Sequence, residues 1–284
     1  MNWKEYEDEI YARFREVYPR ARIDRNVKII GRYSKVERQI DTLIEESVAG
    51  FKMRIVVDAK YYDKKIDVKD VESFLGMLMD VDAHKGLMVS PKGYSAGAIN
   101  RAHYDLNDLE LDILNFAERS QFQAHGAIAF SGKHGVALPA PFGWIVDGTR
   151  REGAVACLYQ RGLDLEQAQT AKEWMYINFM SKSENIDSID SLVNHQESYM
   201  RKDFPSAVFS YHAGPYRENE TTIIRTIIEQ TYPAPEYTGF VEFDDFIFFC
   251  VLFSPIELAK KNLRKLEYIL ASVLPLDVLG NDAT

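Results

Sequence analysis

The chain has 284 residues, 46% of them hydrophobic and 27% charged, which is the balance of a soluble globular protein with room for one large or two ordinary domains. Its longest apolar run, Phe246 to Phe253, is eight residues, far short of the roughly twenty a membrane-crossing helix needs. The opening Trp3-Lys4-Glu5-Tyr6-Glu7-Asp8 lacks the charged and apolar regions of a signal peptide, so a cytoplasmic location is expected. The net charge of −9 is uneven: residues 1–119 hold 20 basic against 22 acidic side chains, and the remainder carries −7.

Taken in chain order, Trp3, Tyr6, Ile10, Phe14 and Val17 recur at helical spacing, and Glu7 falls within the arc of Trp3, Ile10 and Phe14, where an acid is unusual. Glu5, Asp8 and Glu9 lie further round, where solvated charge is the ordinary expectation. Val27 to Gly31 reads as a first strand. From Arg20 to Arg38, seven basic residues meet only Asp24 and Glu37, a basic strip that suits a phosphate backbone or merely solubilises a strand.

Val36 to Glu45 and Met53 to Tyr61 then read as two strands of a hairpin turning at Ala49-Gly50. With the turn centred there, paired residue numbers sum to ninety-nine and Asp41 faces Asp58. Side-chain alternation brings Gln39 and Lys60 to the same face and sends Ile40, Val57 and Ala59 to the other. Directly opposed carboxylates repel, and a cation between them relieves the repulsion. A hard, oxygen-loving ion such as magnesium suits such a pair, and with it phosphodiester hydrolysis. Lys60 beside the ion supplies a point charge for a phosphate oxygen, and the ion should lower its pKa. Acids on the solvated face of a hairpin are the competing explanation.

Helices are predicted over Val68 to Met79 and Ser95 to His103, with strands over Gly86 to Ser90 and Leu109 to Leu114, giving a mixed α/β sheet covered by helices. Asp41 followed by Asp58-Ala59-Lys60 resembles the PD-(D/E)xK nuclease signature. The surrounding Arg38-Gln39-Ile40-Asp41, Val57 to Tyr62, Lys69 to Gly76, Lys85 to Ser90 and Gly93-Tyr94-Ser95 resemble the Mrr-like restriction endonucleases. The likeness covers about the first 118 residues and lacks the Pro that often precedes the first acid in that superfamily. It implies a restriction-endonuclease-like mixed sheet flanked by helices, a DNA substrate, and magnesium, with manganese as a substitute. It further implies metal ligation by Asp41, Asp58 and the backbone carbonyl of Ala59, a catalytic Lys60, and a helical glutamate, for which Glu7 is preferred to Glu5. Gln39, Arg38, Lys64 and Lys65 are the candidate substrate contacts.

Competing motifs are weaker. Gly93-Tyr94-Ser95-Ala96-Gly97 fits the G-x-S-x-G pattern of a serine hydrolase, but Pro91-Lys92-Gly93 stands where a tight elbow is needed, and Ser95 serves equally as a helix cap. Gly126 with Gly132-Lys133 has the wrong interval for a phosphate loop and His134 in place of Ser or Thr. The six histidines share no ligand spacing, and Cys157 and Cys250, in apolar strand-like stretches, read as buried free thiols.

Phe116 to Gly126 reads as a junction, which divides the chain into a nuclease-like domain, 1–118, and a second α/β domain, 119–284. In the latter, Pro139-Ala140-Pro141 makes a turn, Ile145-Val146, Ala154 to Tyr159 and Val208 to Tyr211 read as strands, and Leu165 to Met180 and Ile186 to Met200 as helices. Asp244-Asp245 joins strands Tyr237–Phe243 and Phe246–Phe253, and a helix runs from about Pro255 to Val273. Tyr199, Arg201, Lys202, Tyr211, His212, Tyr216 and Arg217 form either a nucleic-acid surface or a mixed polar loop. The acidity of this half suits protein binding, ligand sensing or oligomerisation as well as DNA reading. The expected activity is a metal-dependent endonuclease serving restriction or nucleic-acid defence, with a binding or regulatory protein on an inactive nuclease fold as the alternative.

Overall fold

The structure is a computed structural model in which residues 2–17, 21–48, 51–103, 105, 108–113, 126–141, 143–231 and 234–277 are described. Contacts divide the chain into Met1–Gln121 and Phe122–Thr284, each with its own core. Among the described residues no helix is long and apolar enough to cross a membrane. The predicted turn at Ala49-Gly50 and most of the predicted junction lie outside the described residues.

The first unit orders its elements as α1 (Trp3–Val17), β1 (Arg22–Ile30), β2 (Glu37–Val48), β3 (Phe51–Ala59), α2 (Val68–Asp80), β4 (Lys85–Ser90), α3 (Ala96–His103) and β5 (Asp108–Ile113). The strands form one sheet, β1-β2-β3-β4-β5, with β1 to β3 antiparallel and β3 to β5 parallel. Val71, Phe74, Leu75 and Leu78 of α2 and Ala98 and Ala102 of α3 pack on Leu43, Val56, Met88, Leu109 and Leu111 of the sheet. Capping is explicit: Asp67 closes a capping box with Asp70 at the start of α2, and Ser95 Oγ accepts from Ala98 N at 3.2 Å at the start of α3. Ser95 is therefore a helix cap, and the hydrolase pattern has no further support.

Asp80 fastens the turn between β1 and β2. Its Oδ1 accepts from the backbone N–H of Tyr33 and of Ser34, both at 2.9 Å, and its Oδ2 accepts from Ser34 Oγ and from Arg38 Nε at 2.5 and 2.7 Å. These bonds, the Ser34 hydroxyl first, hold its carboxyl well below the usual range. A Cβ at Gly31 would meet Asp80 Oδ2 at 2.3 Å, so the glycine leaves room for the carboxylate. Replacing Asp80 with Ala is expected to strip hydrogen-exchange protection from the Tyr33 and Ser34 amides while leaving β4 protected.

The second unit contains β6 (Gly126–Ser131), β7 (His134–Pro139), β8 (Trp144–Asp147), β9 (Ala156–Gln160), α4 (Leu165–Thr170), β10 (Trp174–Ser181), α5 (Ile189–Asp203), β11 (Val208–Ala213), β12 (Thr222–Ile228), β13 (Glu236–Glu242), β14 (Phe246–Phe253), α6 (Ala259–Ser272) and β15 (Leu274–Asp277). A wholly antiparallel seven-stranded sheet, β11-β12-β13-β14-β10-β9-β8, accompanies a three-stranded one, β15-β7-β6. The main core joins Trp144, Met175 and Phe248 to Leu266, Ile269 and Leu270 of α6; separate clusters lie under α5 and beside α4. A Cβ at Gly239 would meet Leu270 Cδ1 at 2.6 Å, which fixes glycine where α6 crosses β13.

One predicted element is overturned. Leu165 to Met180 is not a single helix: α4 ends at Thr170, Lys172 turns with φ 56°, and Trp174–Ser181 becomes β10, paired on both sides. The alternating Met175 and Ile177, both fully buried, are the period-two signal of a strand. Gly132, with φ 60°, sits with Lys133 in the tight turn between β6 and β7, so the resemblance to a phosphate loop also ends there. Cys157 and Cys250 are buried free thiols, as expected.

Candidate nuclease site

Helix α1 begins with a reciprocal cap. Glu5 N donates to Asn2 Oδ1 at 3.0 Å while Asn2 N donates to Glu5 Oε2 at 2.8 Å. Glu5 is thereby occupied at the helix start, and Glu7 remains the inward acid. Tyr6 and Ile10 are the fully buried residues of this helix; Trp3, predicted on the same face, is 61% exposed. The Tyr6 ring lies 5.2 Å from that of Tyr61, just past the end of β3, which brings Glu7 beside Lys60. Tyr6 belongs to the helical stripe read from the sequence; its pairing with Tyr61 has no signal there.

The hairpin register is the predicted one. Thr42 pairs with Val57, Leu43 with Val56, and so on to Val48 with Phe51; the ladder ends at Thr42, and Asp41 just beyond it reaches the backbone of Ala59, next to Asp58. Strict alternation does not survive at that point. Asn26, with φ 52°, lies opposite Asp41 between the flanking pairs Arg25 with Thr42 and Val27 with Ile40. Beyond it Ile40 joins Leu43 and Val56 in the α2–α3 core, although alternation assigned Ile40 to the other face. The β1–β2 ribbon turns over at the first acid of the motif.

At this turn the groups come together. Asp41 Oδ2 accepts from Ala59 N at 2.9 Å, and Lys60 N donates to Val89 O at 2.8 Å, so both neighbours of the Asp58-Ala59-Lys60 backbone are fixed. Lys60 Nζ stands 2.9 Å from Asp58 Oδ2. The ammonium and this buried carboxylate form an ion pair. Burial pushes Asp58 up to about 6 against the pull of the Lys60 charge, and Asp41 adds to the rise. Burial, then the Asp41, Asp8 and Asp58 charges, pushes Glu7 up to about 7. Partial burial opposes the Lys60 ammonium, but Asp58 outweighs it by charge and contact and raises the lysine pKa.

Three acids against one lysine form a donor set that suits a hard divalent cation. The mutual charge of Asp41, Asp58 and Glu7, which raises Asp58 and Glu7, fits such a partner. Among the described residues, however, no three His, Cys, Asp or Glu side chains are gathered tightly enough to enclose an ion. Lys60 holds the position beside Oδ2.

The remaining predicted contacts lie elsewhere. Arg38 is engaged by Asp80, Gln39 is exposed with Lys28 opposite it, and Lys64 and Lys65 are exposed on the loop after Lys60. The basic strip is largely neutralised: Arg22 pairs with Asp24, Arg25 with Asp8, Lys28 with Glu37, Arg32 with Asp82 and Arg38 with Asp80. Arg20 lies outside the described residues. Apart from Arg38 with the buried Asp80, these are exposed pairs that contribute only about 0–1 kcal/mol, so a phosphate can displace their acids. Arg217 is no surface contact either, since it pairs with Glu220 at 2.5 Å and donates to Leu270 O at 2.9 Å.

Residues 1–114 match the family model described as restriction endonuclease. The first unit is a restriction-endonuclease-like domain. Its mixed sheet, with the acid pair where β2 meets β3, is the arrangement that the sequence resemblance implied. Among solved structures, a protein of unknown function, AF1548, aligns at 20% identity over 37% of this chain and 57% of that chain, with TM-score 0.31. The alignment thus spans little more than half of that relative. The solution structure of cyanobacterial PsbP (CyanoP) from Synechocystis sp. PCC 6803 aligns at 10% identity over 49% of this chain and 85% of that one, with TM-score 0.35. At those scores the likenesses establish neither fold nor function. No curated protein matches the chain.

Proposed function

We propose that the restriction-endonuclease-like unit hydrolyses phosphodiester bonds of DNA with magnesium, or manganese in its place, in restriction or another nucleic-acid defence task. The observation that supports this most is Lys60 Nζ set 2.9 Å from a buried carboxylate oxygen of Asp58, with Asp41 and Glu7 in the same electrostatic neighbourhood. Asp41, Asp58, the Ala59 carbonyl and Glu7 are the groups that would hold the cation. When bound it supplies charge neutralisation at the scissile phosphate and a more acidic water. Lys60, kept protonated by Asp58, donates to a phosphate oxygen and stabilises the negative charge that grows on it. Gln39, Lys64 and Lys65 contact the strand backbone.

The direct test incubates the protein with linear, circular and methylated DNA, and with RNA, in magnesium, manganese or EDTA. Cleavage of DNA that stops in EDTA is expected. Cleavage persisting in EDTA overturns the mechanism, and tight metal-independent DNA binding without cleavage favours the inactive-fold alternative instead.

A pH signature follows from the raised carboxyls. With folded pKa values of about 6 and 7 against ordinary values of 3.8 and 4.5, the folded protein without metal binds protons more tightly than the unfolded chain. Its stability on this account falls as pH rises through that window and levels off above it. A cation binds only the ionised acids, so the rise in melting temperature with manganese is expected to be small at pH 5 and to grow up to pH 8. A pH-independent rise would separate metal binding from these carboxyls.

A further inference from the structure

The seven-stranded sheet ends on β11, and among the described residues no strand lies beyond it. Its register with β12 runs unbroken from Val208 with Ile228 to Ala213 with Ile223. One step further on, Gly214 N donates to Thr222 O at 3.1 Å, so by alternation Val208, Ser210 and His212 turn their N–H and C=O groups to β12. Phe209, Tyr211 and Ala213 turn theirs outward. The outer side of β11 is thus a row of backbone donors and acceptors along an open edge.

Such an edge is normally blunted by charge, proline, a bulge or shortness. The opposite edge of the same sheet, β8, is four residues long and ends on Asp147. Strand β11 has six residues, Val208-Phe209-Ser210-Tyr211-His212-Ala213, with no Asp, Glu, Lys, Arg, Pro or Gly among them. Apolar side chains gather around it. Tyr199 and Phe204 stand at the end of α5 that Arg201 fastens over the Phe209 ring, Val208 and Tyr211 on the strand, Ile228 opposite Val208, and Tyr216 just past the strand, with exposures between 42% and 89%. At about 200 Å² for a whole side chain, these six expose on the order of 600 Å². With the edge backbone added, the surface approaches the roughly 800 Å² per partner that a stable interface buries.

The edge is complementary to itself. Antiparallel pairing about a twofold axis through Tyr211 sets Tyr211 opposite its own copy and Phe209 opposite Ala213, so each outward N–H meets an outward C=O. No like charges are opposed across the axis, because the strand carries none. A strand of another protein satisfies the same bonds, but a copy of this chain also brings the same apolar surround to the far side, which the area of a stable interface requires. We propose that β11 is the interface between two copies of this chain, joined edge to edge into one continuous antiparallel sheet. The interface lies wholly within the second unit and does not require the nuclease reading.

Sedimentation velocity of the full chain over a range of concentrations tests this, and a monomer–dimer equilibrium is expected. Tyr211→Lys and Tyr211→Glu each set like charges face to face on the axis and should weaken the dimer about a hundredfold or more. Mixed in equal amounts, the two variants should recover it, because each then meets the opposite charge. Tyr211→Pro removes only an outward N–H and spares the pairing with β12, so it should give a monomer that circular dichroism shows to be folded. A wild-type chain that stays monomeric, and so leaves the edge to a strand of another protein, overturns the assignment. So does a dimer that survives Tyr211→Pro, or a mixture of the two folded charge variants that fails to associate.

Discussion

Replacing Asp58 with Asn is expected to lower metal-dependent cleavage by about a hundred- to a thousandfold, the several kcal/mol that a held cation contributes. The same change should leave the protein without metal about 1–3 kcal/mol more stable at pH 8. Both effects have one cause. Asp58 is buried, burial pushes its carboxyl up to about 6, and Lys60 recovers only part of the cost of ionising it. Asparagine has the same shape without the charge. The sign fixes the pH dependence: the cost of ionising Asp58 builds as pH rises from the ordinary value of 3.8, where the unfolded chain ionises, to about 6, so the variant's gain is full above about pH 6, shrinks below it and disappears only below about pH 4. Urea denaturation in EDTA at pH 5 and pH 8 measures the difference. An Asn variant less stable than wild type at pH 8 would mean that Asp58 is a structural ion-pair partner and not a strained site held for a cation.

Much of this site is legible in the sequence because a hairpin is local. A register counted from the sequence alone predicts the observed pairs from Thr42 with Val57 to Val48 with Phe51, and so brings Asp41 to the end of the ladder beside Asp58-Ala59. Helical periodicity similarly points Glu7 inward. The limits of local reading appear where partners come from distant elements. Arg25, Arg32 and Arg38 read as a free basic strip, but Asp8, Asp82 and Asp80 arrive from α1 and the end of α2 to pair with them. Alternation fails at Ile40 because of the positive φ of Asn26, a residue of the neighbouring strand. In the second unit, the good helix formers of Leu165 to Met180 continue past Thr170 through Ala171, Lys172 and Glu173, so local propensity extends the helix; the turn at Lys172 depends on β9 and β14 capturing the aromatic run that follows. Strand β12 escaped because Arg225 interrupts its apolar pattern.

Lys60→Ala should abolish cleavage as Asp58→Asn does but move stability the other way. The amine stands 2.9 Å from Asp58 Oδ2 with 27% of its side chain exposed, against 12% for the aspartate. Its removal returns little apolar surface to water but leaves a buried carboxylate with no counter-charge. Breaking a fully buried pair costs about 3–5 kcal/mol. Solvent screening at the exposed amine reduces this to about 1–2 kcal/mol at pH 8. In the acid range Asp58 takes up a proton, and the loss should fade. The double variant separates causes. If Lys60 stabilises the fold only through Asp58, the cost of Lys60→Ala vanishes in the Asp58→Asn background, a coupling of the same 1–2 kcal/mol. Additive costs would instead assign Lys60 a packing role. Manganese provides the last arm. Lys60→Ala vacates the position beside Oδ2, so the variant should bind manganese at least as tightly as wild type while cleaving no DNA. That outcome separates the lysine's action on the phosphate from any part in holding the ion, and weaker metal binding by a folded Lys60→Ala protein would contradict the roles proposed for both residues.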